Sequence, residues 1–355
     1  MIRTILVGAG RVAQHYLKIF SQYPNELSDF QISEIVDSNK DKADLLASAF
    51  GAVSSIDLEK SLRKAKFDLA IILTPSFLHF KHALTALNSG SHVLVEKPST
   101  LLMGDSQLLG SLANSKNLKL GTVVQNRLNT ATKFAKNAID QNWFGKIQNV
   151  AVRLIWSRSI DYYKDEWHGR WLTDGGVLSQ QGFHHLDIAR YLCGEVSHVY
   201  SEGAALRHRI AVDDTSVGVI KFENGALGTL ELTTTAPKQD IEASIKITGS
   251  EGYIEIGGVG LNRVLNLYSE RLSNLEIIQY QREYSEEFEN GYGLSHHRIL
   301  QLFGSDISNS TNKYFPWDDT TKTLQLIHTL YASQEQGIPL RISSMVKSQR
   351  LGVDF

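Results

Sequence analysis

The sequence predicts an α/β protein. An N-terminal doubly wound parallel sheet is followed by a second α/β domain rich in antiparallel strands. Three observations carry this prediction. A short apolar run near the N-terminus ends in a glycine turn and an amphipathic helix. Further apolar runs alternate with helical segments through the first third of the chain. From residue 147 onward, strand-like runs follow one another through short turns.

Of the 355 residues, 42% are hydrophobic, which is enough for two domains with substantial cores. The reading places these domains at 1–123 and 124–355. The 36 basic and 38 acidic residues leave a formal charge of -2, and no basic stripe stands out, so nucleic acid is not an expected partner. The single cysteine, Cys193, excludes an internal disulfide and a cysteine metal cluster, and it fits a cytoplasmic location. The opening MIRTILVGAGRVAQ does not read as a signal peptide, because its apolar run is short and leads straight into a glycine turn. No apolar run approaches membrane-spanning length.

The first strand is IRTILV, residues 2–7. Gly8-Ala9-Gly10-Arg11-Val12-Ala13 follows and opens a helix through Tyr16, Leu17 and Phe20, which is the G-x-G-x-x-A form of the dinucleotide fingerprint. Gly8 permits the tight turn. Gly10 lets the backbone approach a pyrophosphate, and Ala13 lets helix and strand pack closely. A second strand, QISEIV, ends at Asp37. A carboxylate there accepts from the adenosine ribose hydroxyls and repels a 2′-phosphate, which favours NAD over NADP; an N-cap role is compatible. A third run, FDLAIILT, ends in Thr74-Pro75, and a fourth, SHVLVEKP, ends in Glu96-Lys97-Pro98, with a helical segment at 78–89 between them. Ligands of such sheets sit at the carboxyl ends of the strands. The expected cofactor-binding set is therefore Gly8, Gly10, Arg11, Val12, Asp37, Thr74, Pro75, His79, Glu96, Lys97 and Gln125. His79 reads equally as a surface histidine at a helix start.

After KLGTVVQNR and a helical run, TATKFAKNAIDQNW, the chain turns strand-like in IQNVAVRLIW, VSHVYSEGAAL, TSVGVIKFE, ALGTLELTTT and IEASIKITG. Asn224-Gly225 and Ser250-Glu251-Gly252 supply tight turns, so this sheet is antiparallel. An uncovered sheet face invites self-association, as a homodimer or homotetramer.

The stretch DGGVLSQQGFHHLDIARYLCG, Asp174 to Gly194, concentrates polar groups at the head of a helix. On a helix starting near Gly182, His184 and Asp187 share a face, and His185 points roughly a quarter turn away. Asp187 is placed to hydrogen-bond His184 or the local backbone. Histidine suits a proton transfer near neutral pH. Two alternatives stand beside this. One is a zinc site drawing also on His296 and His297, which adjacent helical histidines disfavour; the other is polar helix capping.

TPSFLHFKHALTALNSGSHVLVEKP, with GAGRVA and GGVLSQQGFHHLD, resembles the Gfo/Idh/MocA oxidoreductases over nearly the whole chain. The resemblance implies a Rossmann domain and a C-terminal α/β domain built on a large, open, mostly antiparallel sheet, with NAD in the cleft between them. It implies that His184 is the catalytic base, supported by Asp187, and that Lys97 polarises the substrate oxygen. One position departs from the pattern: many members carry aspartate four residues before the histidine, and this chain has Gln180.

VVQNRLNTATKF, RLIWSRSIDYYKDEWHGRWLTDGGVL, VDDTSVGVIKFENGALGTLELTTT and GYGLSHHRI resemble the sugar-nucleotide branch of that family. The resemblance implies oxidation of C3 of UDP-N-acetylglucosaminuronic acid in surface-polysaccharide synthesis. UDP-N-acetylglucosamine, or an inositol or free sugar, stands as the alternative substrate, and an NAD-binding sensor as the non-enzymatic reading. Aromatic residues with interleaved cations between 156 and 171 fit a sugar nucleotide. Asn126, Arg127, Arg158, Tyr163, Arg170, Trp171, Gln180, His184 and His296 form the expected substrate set. Relatives often read Trp-Arg-Gly-x-Trp where this chain reads Trp167-His168-Gly169-Arg170-Trp171, so the arginine has moved one place.

Overall fold

Six short strands form the first sheet of the computed structural model, which describes residues 1–288, 291–311 and 313–353. They are β1 (Ile2–Val7), β2 (Phe30–Val36), β3 (Val53–Ser55), β4 (Leu69–Ile72), β5 (His92–Val95) and β6 (Leu120–Thr122). All pair in parallel, in the order β3-β2-β1-β4-β5-β6. The order reverses between β1 and β4, which leaves a crevice at their carboxyl ends. Helices α1 (Arg11–Gln22), α2 (Lys40–Phe50), α3 (Leu58–Lys64), α4 (His79–Asn88) and α5 (Met103–Ser115) make the crossovers. β4 and β5 are buried along almost their whole length, as strands covered on both faces must be. β3 was not anticipated, because it is only three residues long and Val53 is exposed.

The second unit starts with α6 (Thr130–Asp140) and β7 (Ile147–Ile155). It continues through α7 (Gly176–Gln180), α8 (Phe183–Cys193), β8 (Val196–Ala204), β9 (Thr215–Phe222) and β10 (Leu227–Thr233). β11 (Glu242–Gly249), β12 (Gly252–Gly257), β13 (Arg263–Ser269) and α9 (Asn274–Glu283) follow. With β14 (Leu340–Arg341), the strands form an eight-stranded sheet in the order β13-β12-β11-β7-β10-β9-β8-β14. Only β7 and β10 pair in parallel. Period-two alternation decides its faces. In β9, Ser216, Ile220 and Phe222 are buried, while Val217 and Val219 are about half exposed at 47% and 53%. Helices α6, α7 and α8 pack on the sheet. A shallow cavity of about 520 Å³ marks the exposed side, with Arg153, Tyr200, Val217, Val219 and Glu231 in its lining.

The last helices are α10 (His296–Asn309) and α11 (Trp317–Gln336). The first compact unit comprises Met1–Gln125 and Leu294–Thr321, and the second comprises the chain from Asn126 to Gly293 and from Lys322 onward. The sequence reading assigned all of 124–355 to one domain, whereas the segment carrying α10 returns to the first unit. The cause is a long-range apolar fit. Gly304 of α10 sits so close to Phe30 that an added Cβ would lie 2.5 Å from its ring, and Phe303 packs over Gly121 of β6. Among the described residues no helix is long and apolar enough to cross a membrane.

Candidate active site

In the first unit the glycine turn is set by close approach. Gly8 has φ +105°, and a Cβ there would lie 2.8 Å from the carbonyl of Leu73 at the end of β4. Its amide donates to Val36 O at 2.7 Å. Gly10 N-caps α1 without a side-chain partner, and an added Cβ would meet nothing within 4 Å. The backbone over Gly10 is therefore open at the positive end of a helix dipole, the environment a pyrophosphate needs. Ala13 is fully buried.

Asp37 follows β2 and is half-buried. Its Oδ2 accepts from Ala9 N at 2.7 Å and its Oδ1 from Asn39 N at 2.8 Å. The carboxylate thus braces the glycine turn, and each oxygen keeps a lone pair for a ribose hydroxyl. Arg11 is exposed, and Val12, Thr74 and Pro75 are half-buried. Thr74 Oγ1 meets His82 Nδ1 at 3.1 Å. Gln125 is buried in the 3₁₀ turn Gln125–Leu128. These residues fit a bound dinucleotide by space and by donor set.

His79 departs from expectation. It is 1% exposed, and its ring nitrogens face Pro98 O at 2.7 Å and Thr74 O at 2.8 Å, so it is a structural tie and not a ligand contact. Lys97 is the one half-exposed residue in an otherwise buried run from Val93 to Leu101. Glu96 beside it is buried, and its Oε2 accepts from Lys97 N at 3.3 Å. Burial alone would raise the Glu96 carboxyl, but His296, with Lys97 and His79, holds it below the usual range.

His296, expected to touch substrate, is also corrected. It is 1% exposed in the first unit, with Nδ1 at 3.2 Å from His15 Nε2 and Nε2 at 3.6 Å from Glu96 Oε1. Burial and the neighbouring His296 push His15 down to about 4, which keeps that ring neutral.

In the second unit, α7 and α8 meet at Gly182, whose amide donates to Val177 O at 2.7 Å. A Cβ on Gly182 would lie 3.0 Å from that same carbonyl. From Asp174 to Ala189 every residue is buried except Gln180 and His184. The two sit one helical turn apart in sequence, and the segment presents these polar groups and no others. Burial holds the adjacent His185 at about 4; it packs edge-on to Trp156 at 6.1 Å, as a neutral core residue.

Asp187 does not stand ready for His184 as the spacing suggested. Arg127 Nε donates to its Oδ2 at 2.7 Å and Arg127 Nη2 to its Oδ1 at 2.6 Å, while Thr323 Oγ1 donates to Oδ1 at 2.8 Å. Arg127 is itself 1% exposed and lies 4.9 Å over the Tyr191 ring. The arginine expected to meet an anionic substrate instead neutralises a buried aspartate, and the bidentate pair anchors α8.

The remaining expected substrate residues divide. Asn126 is buried. Arg158 lies 4.7 Å over Trp156 and 3.3 Å from Asp240 Oδ1. Tyr163 bonds Thr234 Oγ1 at 2.9 Å, and burial pushes its phenol up to about 12. Trp171 packs edge-on to Tyr331 at 5.1 Å. Arg170 is exposed. Among the described residues no three His, Cys, Asp or Glu side chains converge as a metal ion would need.

The sequence reading missed a buried cluster beneath α7. Gly175 and Gly176 are both left-handed, and a Cβ on Gly176 would collide with the Asp213 carboxyl. Tyr331 Oη donates to Gly175 O and accepts from Leu178 N at 3.2 Å. Asp213 Oδ1 lies 3.2 Å from the same phenol oxygen. The phenol also donates to Asp213 Oδ1, so its one proton is shared between that carboxyl and Gly175 O. Burial, with Asp174 nearby, raises Asp213 to about 8, against the lowering effect of the Tyr331 hydrogen bond.

The parallel sheet with its open glycine turn is the fold of a dinucleotide-binding domain, joined to a second domain on a large, mostly antiparallel sheet. The chain belongs to the Gfo/Idh/MocA family: the NAD-binding Rossmann model of the oxidoreductase family matches residues 2–123, and the family's C-terminal domain matches residues 132–255. The WlbA dehydrogenase of Bordetella pertussis, solved with NADH and UDP-GlcNAcA, is 28% identical, with a TM-score of 0.89 over 96% of this chain and 98% of that one. The WlbA dehydrogenase of Chromobacterium violaceum, solved with the same ligands, is 26% identical, with a TM-score of 0.87 over 97% and 96%. The scyllo-inositol 2-dehydrogenase (NAD(+)) of Bacillus subtilis is 26% identical over 96% of both chains. The protein is an NAD-dependent sugar or polyol dehydrogenase.

Proposed function

We propose that this enzyme oxidises the C3 hydroxyl of UDP-N-acetylglucosaminuronic acid, a step in surface-polysaccharide sugar synthesis, and that it works in the cytoplasm. The observation that carries this reading is the match, along nearly the full chain, to two dehydrogenases solved with NADH and UDP-GlcNAcA. NAD, when bound, accepts the hydride from the carbinol carbon. Asp37 binds the adenosine ribose and the Gly8–Gly10 turn the pyrophosphate. His184 takes the hydroxyl proton as general base. Lys97 stabilises the negative charge that develops on the same oxygen. Gln180 orients the hydroxyl without exchanging a proton, since an amide has none to give at neutral pH. Arg170 is the exposed cation offered to the anionic groups of the sugar nucleotide, with Arg158, Tyr163 and Trp171 shaping the wall. Arg127 and Asp187 act at a distance, by holding the helix that carries His184. The exposed face of the eight-stranded sheet, with Val217 and Val219 half exposed, supports a homodimer or homotetramer.

A second reading, oxidation of an inositol or free sugar, is favoured by the full-length match to the scyllo-inositol enzyme. UDP-N-acetylglucosamine is a third substrate to test. The deciding assay follows nicotinamide absorbance with NAD and, separately, UDP-N-acetylglucosaminuronic acid, UDP-N-acetylglucosamine and myo- and scyllo-inositol. Each is repeated with 2-oxoglutarate and a keto-product assay, because internally recycled NADH leaves no net signal. Turnover of the uronic acid alone is the expected result, and turnover of inositols alone would replace this substrate. Lys97→Met and His184→Phe should each abolish turnover and leave NAD binding nearly unchanged.

A further inference from the structure

We infer that Tyr162 is a positioning residue for Gln180: its phenol gathers the side-chain amides at the junction of α7 and α8, and so sets how Gln180 meets the substrate hydroxyl. The inference rests on the role given to Gln180 above. Tyr162 lies in the 3₁₀ turn Ile160–Tyr163 and is half-buried. Gln181, at 7% exposure, donates from Nε2 to Tyr162 Oη at 3.2 Å across a separation of 19 residues. The side chain of Gln180 hydrogen-bonds the same phenol. Two successive glutamines, the last residue of α7 and the one after it, thus converge on one oxygen brought by a distant turn.

The ring that carries this oxygen is itself held. It packs at 4.1 Å on His168, whose Nδ1 lies 2.5 Å from Asp165 Oδ2. It stands edge-on to Tyr163 at 5.0 Å, and the Arg158 guanidinium lies 5.7 Å over it. A half-exposed glutamine has three side-chain torsions to order, and a fixed partner removes that freedom before substrate arrives. The Gln180 bond favours the ionised phenol, which is the sign of a donated N–H. An amide nitrogen carries two N–H groups. The one on Tyr162 fixes the direction of the other, which Gln180 offers to the reacting oxygen. Tyr162 does not itself move a proton: burial, with Asp174 and Tyr163, pushes the phenol up, against Arg158 and the Gln180 bond, so it stays protonated through neutral pH.

Tyr162→Phe keeps the ring and its packing and deletes only the oxygen. The tie is read first, without substrate, on protein labelled with [15N]glutamine, the Gln180 side-chain amide being assigned by its loss in Gln180→Met. Tyr162→Phe should shift that resonance. With NAD and UDP-N-acetylglucosaminuronic acid, or the inositol if that is what turns over, kcat should fall about tenfold, the worth of one net hydrogen bond. The Kd for NAD and the shape of the pH profile of kcat should not change. Gln180→Met should cost kcat much less in the Tyr162→Phe background than in wild type, because the two residues act as one unit. An unmoved Gln180 resonance would overturn the proposal whatever sugar is oxidised. So would losses that simply multiply in the double variant, as an ordinary packing role predicts, or a pH profile that loses a limb, as a proton-transferring phenol predicts. Full turnover in Gln180→Met would refute the role given to Gln180 and the inference with it, and the resonance would still show whether the tie exists.

Discussion

Replacing Asp213 by asparagine should make the enzyme more stable as pH rises, although it removes a carboxyl at the base of the candidate site. The side chain is 5% exposed, and burial raises its pKa from 3.8 to about 8. In the unfolded chain it titrates normally. Between those two values the folded protein holds a proton that the unfolded chain has lost, so wild-type stability falls as pH rises through the window. It is fully present below the unfolded pKa and lost once the folded pKa is passed. Each pH unit costs roughly 1.4 kcal/mol, which gives a ceiling of about 6 kcal/mol across the interval. Asparagine has the shape of the protonated acid, and its amide oxygen can accept from Tyr331 Oη as the carboxyl oxygen does at 3.2 Å. Urea unfolding of both proteins at pH 4.5, 6, 7.5 and 9 checks the prediction (pH values chosen to bracket the window, about one and a half units apart). The variant should gain on wild type through the first three points and level off above. Parallel stability curves would refute a protonated Asp213.

Gly8→Ala places a Cβ 2.8 Å from the Leu73 carbonyl at φ +105°, so it should cost about 1–3 kcal/mol and sharply weaken NAD binding, read by thermal melts with and without NAD. Gly10→Ala meets no atom within 4 Å and should leave the fold intact while weakening NAD binding, which separates the two glycines. Arg127→Met alone should destabilise by about 3–5 kcal/mol, because it strips Asp187, at 0% exposure, of its bidentate partner; adding Asp187→Leu should recover much of that loss, as a double-mutant cycle in urea would record. Val219→Lys on the exposed sheet face should shift the protein toward smaller species in light scattering if that face joins copies, and should leave the melting temperature nearly unchanged.

Much of the first sheet was legible because its signals are local. IRTILV reads as a strand from six consecutive residues, and β1 spans Ile2–Val7. Gly8 and Gly10 follow it directly, and the carboxylate after QISEIV is set by the end of that strand. The helical reading of 78–89 corresponds to α4, His79–Asn88. The strands β7 to β11 were visible as alternating runs parted by turns. β3 and β14 were not, since three and two residues carry no period. Nor was α10, whose residues read as one more motif after the sheet.

What a polar residue does was decided by partners that lie far along the chain. Asp187 and His184 are three residues apart and looked like a pair, but Arg127, at a separation of 60, holds the aspartate. His296 looked like a substrate contact, yet it meets His15 at a separation of 281. His79 lay at the expected strand end, but both of its nitrogens turn to main-chain oxygens. Sequence spacing places side chains on a face and proposes a chemistry. It carries no information about which distant group arrives there. A buried charge or imidazole takes the partner that offsets its lost hydration, and only the folded chain brings that partner near. The sequence by itself determined the class of fold, the nucleotide turn and which polar residue types the chain offers to a site. The tertiary structure decided which of them are left half-exposed, Lys97, Gln180 and His184 among them, and which are paired in the interior.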